Sequence, residues 1–297
     1  MKVGVIGIGK LGSIHLRIYK ELRAVKKVFA VDVDAGKLAQ CSDVPCFNDY
    51  RKLIGAVDMV SVATPTPTHF EIAKFFLERK IPVLVEKPLT TDVKEGNKLI
   101  EVSKKNKTLL FVGHVERYNN AYLAIKKIIK DPLFIECHRL SPYPHRSLDI
   151  GVTLDLMIHD LDIILDLVKS DVKKIDAKGV NVLSNSADIA NTRITFKNGC
   201  VANITSSRIS TKKERKIRIF MHNCYISLDY AQQRVEIYQK IKNKITKKLL
   251  PINKEEPLKK EIGEFVSLVK GKKFRTEYAI SARNALALAI DIQKKFA

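Results

Sequence analysis

The sequence predicts an α/β protein of two domains, an N-terminal doubly wound parallel sheet and a C-terminal α+β domain with an open, largely antiparallel sheet. Three observations carry this. Short β-branched runs alternate with helical patterns through the first third of the chain. A Gly-x-Gly-x-x-Gly turn follows the first of those runs. Beyond about residue 120 the pattern changes to strands that alternate apolar and polar residues, with an Asn198-Gly199 hairpin signal among them. A length of 297 residues gives each domain enough chain to bury a core.

In order, residues 2–6 read as a strand, 11–23 as a helix, 27–32 and 57–63 as strands, 67–79 as a helix, 82–85 as a strand, 92–106 as a helix and 109–112 as a strand. The style then shifts, which places a first domain over residues 1–118 and a second over 119–297. The second opens with a helix over 120–130 and carries a long helix over 153–168. Strands are expected at 193–197, 200–206, 216–221, 225–230 and 234–238. Helices over 258–269 and 277–296 follow, with Gly271 as punctuation.

Composition narrows the class. At 45% hydrophobic and 29% charged residues the chain is globular rather than disordered or fibrous. No run approaches the about 18 apolar residues of a membrane span, and a cytoplasmic location is expected. Five cysteines without a Cys-x-x-Cys pair suggest neither a disulfide framework nor a zinc knuckle. The net charge of +21 raises nucleic acid as a partner, but only 14 of the 53 basic side chains are arginine and no aromatic-interleaved basic motif is present. The dense basic stretch over 240–275 reads as a solvated face, and the overall field would concentrate an anionic substrate.

Gly7-Ile8-Gly9-Lys10-Leu11-Gly12 lies between a strand and a helix, the context of a dinucleotide site. Gly7 allows the tight turn, Gly9 lets a pyrophosphate approach, and Gly12 lets the helix pack. Asp32 ends the second strand twenty positions after Gly12, where a ribose 2′-hydroxyl would sit, and Asp34 adds negative charge, so NAD is favoured over NADP. Thr64, Pro65 and His69 follow the 57–63 strand at the carboxyl edge of the sheet and are candidates for a cofactor loop. Glu86-Lys87-Pro88 follows the next strand at the same edge, where Lys87 could donate to a substrate oxygen.

On the long helix Asp155, His159, Asp162 and Asp166 recur at steps of four, three and four, one face of a helix among apolar neighbours. A histidine between carboxylates suits acid/base work. The plain alternative is a solvated acidic stripe. His159-Asp160 also resembles a fragment of metal-dependent HD hydrolases, but no upstream elements complete that set, and no metal is expected.

Taken together, the glycine motif, Asp32, Thr64-Pro65 with His69, Glu86-Lys87-Pro88 and Asp155-x-x-x-His159 resemble the Gfo/Idh/MocA oxidoreductases across nearly the whole chain. The segments Gly113 to Asn119 and Ser141 to Arg146 are similar to the branch that oxidises UDP-N-acetylglucosamine at its 3-hydroxyl. The resemblance implies a Rossmann domain, an open-sheet second domain and dimers or tetramers built through that sheet. Its motif lysine falls on Lys87 and its Asp/His pair on Asp155 and His159. Either Lys87 or His159 could be the base. Glu86 is grouped with the cofactor residues, and Arg117, Asn119, Tyr143 and Arg146 are candidate substrate contacts. The implied product, a 3-keto sugar, would pass to an aminotransferase on the way to an amino sugar of lipid A or a surface glycan. Two alternatives stay open, a dehydrogenase of another sugar or polyol and a non-catalytic NAD-binding regulator.

Overall fold

The computed structural model describes residues 1–41, 43–143, 150–242 and 244–296. The chain divides into two compact units, Met1–His114 with Leu258–Asn284, and Val115–Pro257 with Ala285–Ala297.

The first unit contains β1 (Lys2–Ile6), α1 (Lys10–Glu21), β2 (Lys27–Val31), α2 (Ala35–Ala39), β3 (Cys46–Phe47), β4 (Met59–Val62), α3 (His69–Glu78), β5 (Val83–Glu86), α4 (Val93–Asn106) and β6 (Leu110–Gly113). The strands lie in the order β3-β2-β1-β4-β5-β6, with every adjacent pair parallel. Helices on both faces bury β4, β5 and β6 along their whole length, which is why Met59–Val62 and Val83–Glu86 are near-continuous apolar runs. The order reverses between β1 and β4, the switch point at whose carboxyl edge ligands of this architecture sit. Val60, Val62, Phe76, Leu77, Val85, Leu99 and Leu110 make its core together with Ala279 and Ala282 from the far end of the chain.

The second unit contains α5 (Asn120–Lys126), β7 (Phe134–Leu140), a π-helical turn (Thr153–Met157) running into α6 (Ile158–Val168), then β8 (Val172–Val180), β9 (Ile189–Phe196), β10 (Val201–Ser207), β11 (Glu214–Met221), β12 (Cys224–Asp229), β13 (Arg234–Ile241) and β14 (Lys244–Leu249). Their order is β14-β13-β12-β11-β7-β10-β9-β8. Only β7 and β10 pair in parallel; the other neighbours are antiparallel.

Besides the two-residue β3, three strands of the second unit escape the sequence reading. In β7 the inward positions are Ile135, Cys137 and Arg139, so an arginine interrupts the apolar alternation. β8 keeps little of its surface buried, and β14 is exposed at every position. The lysines of β14 suit a sheet edge, because charge there blocks pairing with another chain.

The last two helices, α7 (Pro257–Lys270) and α8 (Glu277–Gln293), complete the chain. Expecting one cut near residue 118 put all of 258–297 in the second domain, whereas residues 258–284 return to the first unit. Phe265 and Tyr278 pack on Phe111 of β6, with ring centroids 5.6 and 4.5 Å away. Such long-range packing leaves no local mark in a sequence.

Candidate active site

At the switch point of the first unit the backbone builds a cradle. Gly7 has φ +81°, and a Cβ there would stand 2.7 Å from the Ala63 carbonyl oxygen. A Cβ at Gly12 would stand 1.8 Å from the Gly7 carbonyl oxygen, so only glycine lets α1 close on the loop. At Gly9, the N-cap of α1, nothing stands within 4 Å of a built Cβ. The turn is thus tight where it packs and open where a phosphate would approach the α1 N-terminus. Lys10 is exposed and Leu11 half-buried in the first turn of α1.

Asp32, just past β2, is 8% exposed. Its Oδ2 accepts from the Ile8 N–H at 2.9 Å and its Oδ1 from the Asp34 N–H at 3.0 Å, which fixes the carboxylate beside the glycine turn. Asp34 instead caps α2, accepting from Gly36 and Lys37. Lys37 stands 3.7 Å from both carboxylates. A cradle with an open centre and a fixed carboxylate at the neighbouring strand end fits a dinucleotide.

The other loops of this edge are braced internally. His69 is buried, one ring nitrogen 2.9 Å from the Pro88 carbonyl oxygen and the other 2.9 Å from that of Thr64. It therefore ties the Thr64-Pro65 loop to the Lys87-Pro88 turn. Burial pushes its imidazole pKa down, against the two carbonyl bonds. Thr64 is half-buried and accepts from the Thr68 hydroxyl at 2.7 Å, while Pro65 is exposed.

Glu86, grouped with the cofactor residues from sequence, faces inward: its Oε1 lies 2.8 Å from His15 Nε2. Burial pushes this carboxyl up, but the His15 hydrogen bond and the charges of His15 and Lys87 outweigh it and hold it below the usual range. Lys87 follows at the strand end and is half-buried.

In the second unit the acidic face of α6 divides. Asp162 takes a forked pair from Arg117, at 2.6 and 2.8 Å. Asp166 accepts from the Tyr122 hydroxyl and pairs with Lys126 at 2.6 Å. Asp160 and Glu116 share the buried Arg139, whose guanidinium lies 2.8 and 2.9 Å from Asp160 and 3.0 Å from Glu116. Asp155 and His159, like Asp166, are half-buried, whereas Asp162 is buried. Asp155 and His159 stand where the π-helical turn passes into α6, a distortion that recurs at functional sites. The start of this helix is strapped down: Val152 N–H donates to the Ala187 carbonyl, and the buried Arg208 donates to the Ile150 carbonyl.

Two of the expected substrate contacts have partners within the second unit. Arg117 is held by Asp162, and Asn119 is the N-cap of α5, accepting from Ala121 N–H and donating to the Tyr230 carbonyl at 3.1 Å. Tyr143 is half-buried on its loop, and Arg146 lies outside the described residues. The sequence reading missed His15 and Arg215. Arg215 lies across the ladder from Arg139 on β11. Burial and the Arg139 charge push its pKa down, while Glu116, Asp160 and Asp155 oppose this. Among the described residues no group of three or more His, Cys, Asp or Glu side chains could hold a metal ion.

A doubly wound sheet with a glycine cradle, an acidic strand end beside it and a lysine at a neighbouring strand end defines a dinucleotide-dependent oxidoreductase. Residues 1–114 match the oxidoreductase family with an NAD-binding Rossmann fold, Gfo/Idh/MocA, and residues 126–227 match the C-terminal domain of that family. The chain is 32% identical to UDP-N-acetylglucosamine 3-dehydrogenase of Acidithiobacillus ferrooxidans, over 99% of this chain and 96% of that protein. The crystal structure of that enzyme superposes with a TM-score of 0.92, over 99% of this chain and 97% of the other. A myo-inositol 2-dehydrogenase of Thermotoga maritima is 26% identical over 70% of this chain and 69% of its own. A scyllo-inositol dehydrogenase of Lactobacillus casei, solved with NAD(H) and scyllo-inositol, shares the fold at a TM-score of 0.83 and 18% identity, over 100% and 96% of the two chains. The chain belongs to the Gfo/Idh/MocA oxidoreductase family and is a dehydrogenase of it.

Proposed function

We propose that this dehydrogenase oxidises the 3-hydroxyl of UDP-N-acetylglucosamine to a ketone with NAD⁺. The observation that carries the reading is full-length similarity to an enzyme of that activity, and this chain's glycine cradle, Asp32, Lys87 and Asp155/His159 pair support it. NAD is favoured over NADP because Asp32 sets a carboxylate where a 2′-phosphate would otherwise lie.

Gly7, Gly9 and Gly12 with the first turn of α1 would hold the pyrophosphate, and Asp32 the adenosine ribose. Bound there, the nicotinamide supplies the hydride acceptor. His159 takes the proton of the reacting hydroxyl, with Asp155 one turn earlier setting its tautomer and orientation. Lys87 donates to the same oxygen and stabilises the charge that develops as the carbon–hydrogen bond breaks. The carbinol thus loses a hydride and a proton, and becomes the ketone.

A homo-oligomer formed through the open face of the eight-stranded sheet belongs to this reading. Phe134, Phe220, Tyr225 and Tyr238 form a half-buried cross-strand ladder there, with centroid spacings of 5.5, 4.8 and 5.1 Å. A cytoplasmic setting and an aminotransferase that consumes the keto sugar complete it.

The test is NADH formation from NAD⁺ and UDP-N-acetylglucosamine, with and without a sugar-nucleotide aminotransferase and glutamate to draw off the ketone. Turnover that rises with the trap supports the proposal. NADH formed only from other sugars or polyols would replace the substrate, and NAD binding without turnover on any of them would favour a regulator.

A further inference from the structure

His15 is fully buried on α1, three residues past Gly12 of the cofactor turn. Its Nδ1 lies 2.8 Å from Ser61 Oγ on β4, and its Nε2 lies 2.8 Å from Glu86 Oε1 at the end of β5. One ring therefore joins the helix of the glycine turn to two central strands. Its carboxylate partner immediately precedes Lys87, and Glu86 Oε2 accepts from the Lys87 N–H at 3.3 Å. The carboxylate also lies close against Gly113, where a built Cβ would stand 3.0 Å from Glu86 Oε2.

A core chosen for packing alone would place an apolar side chain at Glu86, because a buried carboxylate costs several kcal/mol of desolvation, on the order of magnitude known for buried ions. The charge is retained one residue before the lysine, from whose backbone N–H it accepts. The other titratable groups around this network are Tyr19 on α1, Glu261 on α7 and His69 on α3.

We propose that His15 is a positioning residue for Lys87: its imidazole holds Glu86 as a carboxylate, and Glu86 in turn fixes the backbone and the charge beside the lysine. This rests on the role given to Lys87 above. Without His15 the Glu86 carboxyl is left in the core without its side-chain donor and takes up a proton, so the negative charge next to Lys87 disappears. The same ring couples α1, whose N-terminus faces the cofactor, to the strand that presents the lysine.

The test uses the full chain and the variants His15→Asn, His15→Gln, Glu86→Gln, Lys87→Ala and His15→Asn/Lys87→Ala. Three quantities are read: kcat in the NADH assay, NADH affinity by fluorescence, and the rate at which acetic anhydride acetylates Lys87, followed by peptide mass. His15→Asn cannot reach Glu86, and its kcat is expected to fall about tenfold, with NADH affinity changed less than about threefold. Lys87 in His15→Asn and in Glu86→Gln is acetylated several-fold faster than in the wild type. His15→Gln carries an amide nitrogen near the Nε2 position and restores both values. In the Lys87→Ala background His15→Asn has no further effect on kcat, as two residues acting through one group require.

Additive losses, or an unchanged Lys87 acetylation rate in both His15→Asn and Glu86→Gln, would overturn the proposal. Full turnover in Lys87→Ala alone would instead remove the lysine from the reaction, and the acetylation rates would then decide the link between His15 and Lys87 on their own.

Discussion

At the carboxyl edge of the parallel sheet Asp32 and Lys87 stand at strand ends beside a backbone that leaves room for a ligand. On α6, by contrast, Asp160, Asp162 and Asp166 are bound to Arg139, Arg117, Tyr122 and Lys126 of their own unit. Both regions are rich in charge, and both read as site material in one dimension. The difference lies in the partners. A carboxylate that receives a forked arginine is satisfied by the fold, and removing it tests stability. A charged group placed at the end of a strand beside an open turn tests chemistry.

Variants can break or sharpen this contrast. The largest effect is expected for His159→Ala, where loss of a general base lowers kcat roughly 100- to 10,000-fold while the melting temperature barely moves. A melting temperature that fell in step with kcat would put His159 on the architectural side. Lys87→Ala is expected to lower kcat about 100- to 1,000-fold with NADH affinity nearly unchanged, measured by steady-state kinetics and fluorescence titration.

Arg139→Ala should do the reverse, costing about 3–5 kcal/mol of stability because Asp160 and Glu116 stay buried without their partner. Denaturant unfolding of the second unit reads this directly. Arg117→Ala is a smaller version, about 1–3 kcal/mol, with KM for the sugar nucleotide unchanged. A large rise in KM at full stability would return Arg117 to the substrate site. The smallest effect is Asp32→Ala, which should cut the preference for NAD over NADP about tenfold, the worth of one charged hydrogen bond. An unchanged preference would assign discrimination elsewhere.

The same contrast explains what was legible in the sequence. The glycine turn, Asp32 and the Lys87 turn declare themselves because their geometry is local: a strand, a turn and a helix start within a few residues. The doubly wound sheet was legible for a related reason, since strands buried on both faces must be continuous apolar runs. The acidic face of α6 misled because spacing shows that side chains share a face but not what meets them. The partners of Asp162 and Asp166 lie 45 and 44 residues away. One signal was available, an arginine at an inward position of the alternating run Ile135, Cys137, Arg139, which demands buried carboxylates. Asn119 carried a similar hint, because Asn before a helical run is a cap before it is a ligand. His15 offered none, since its meaning depends on Glu86, 71 residues on.

The proposed reaction takes one hydrogen from one carbon of one substrate, and the most direct measurement follows that hydrogen. UDP-N-acetylglucosamine deuterated at C3 of the sugar is incubated with the enzyme, NAD⁺ and the aminotransferase trap, and the NADH formed is analysed by mass. Deuterium is expected on the nicotinamide ring, with a 3-amino sugar in the trap. Unlabelled NADH, or a label retained in the sugar while NADH accumulates, would contradict the proposed reaction.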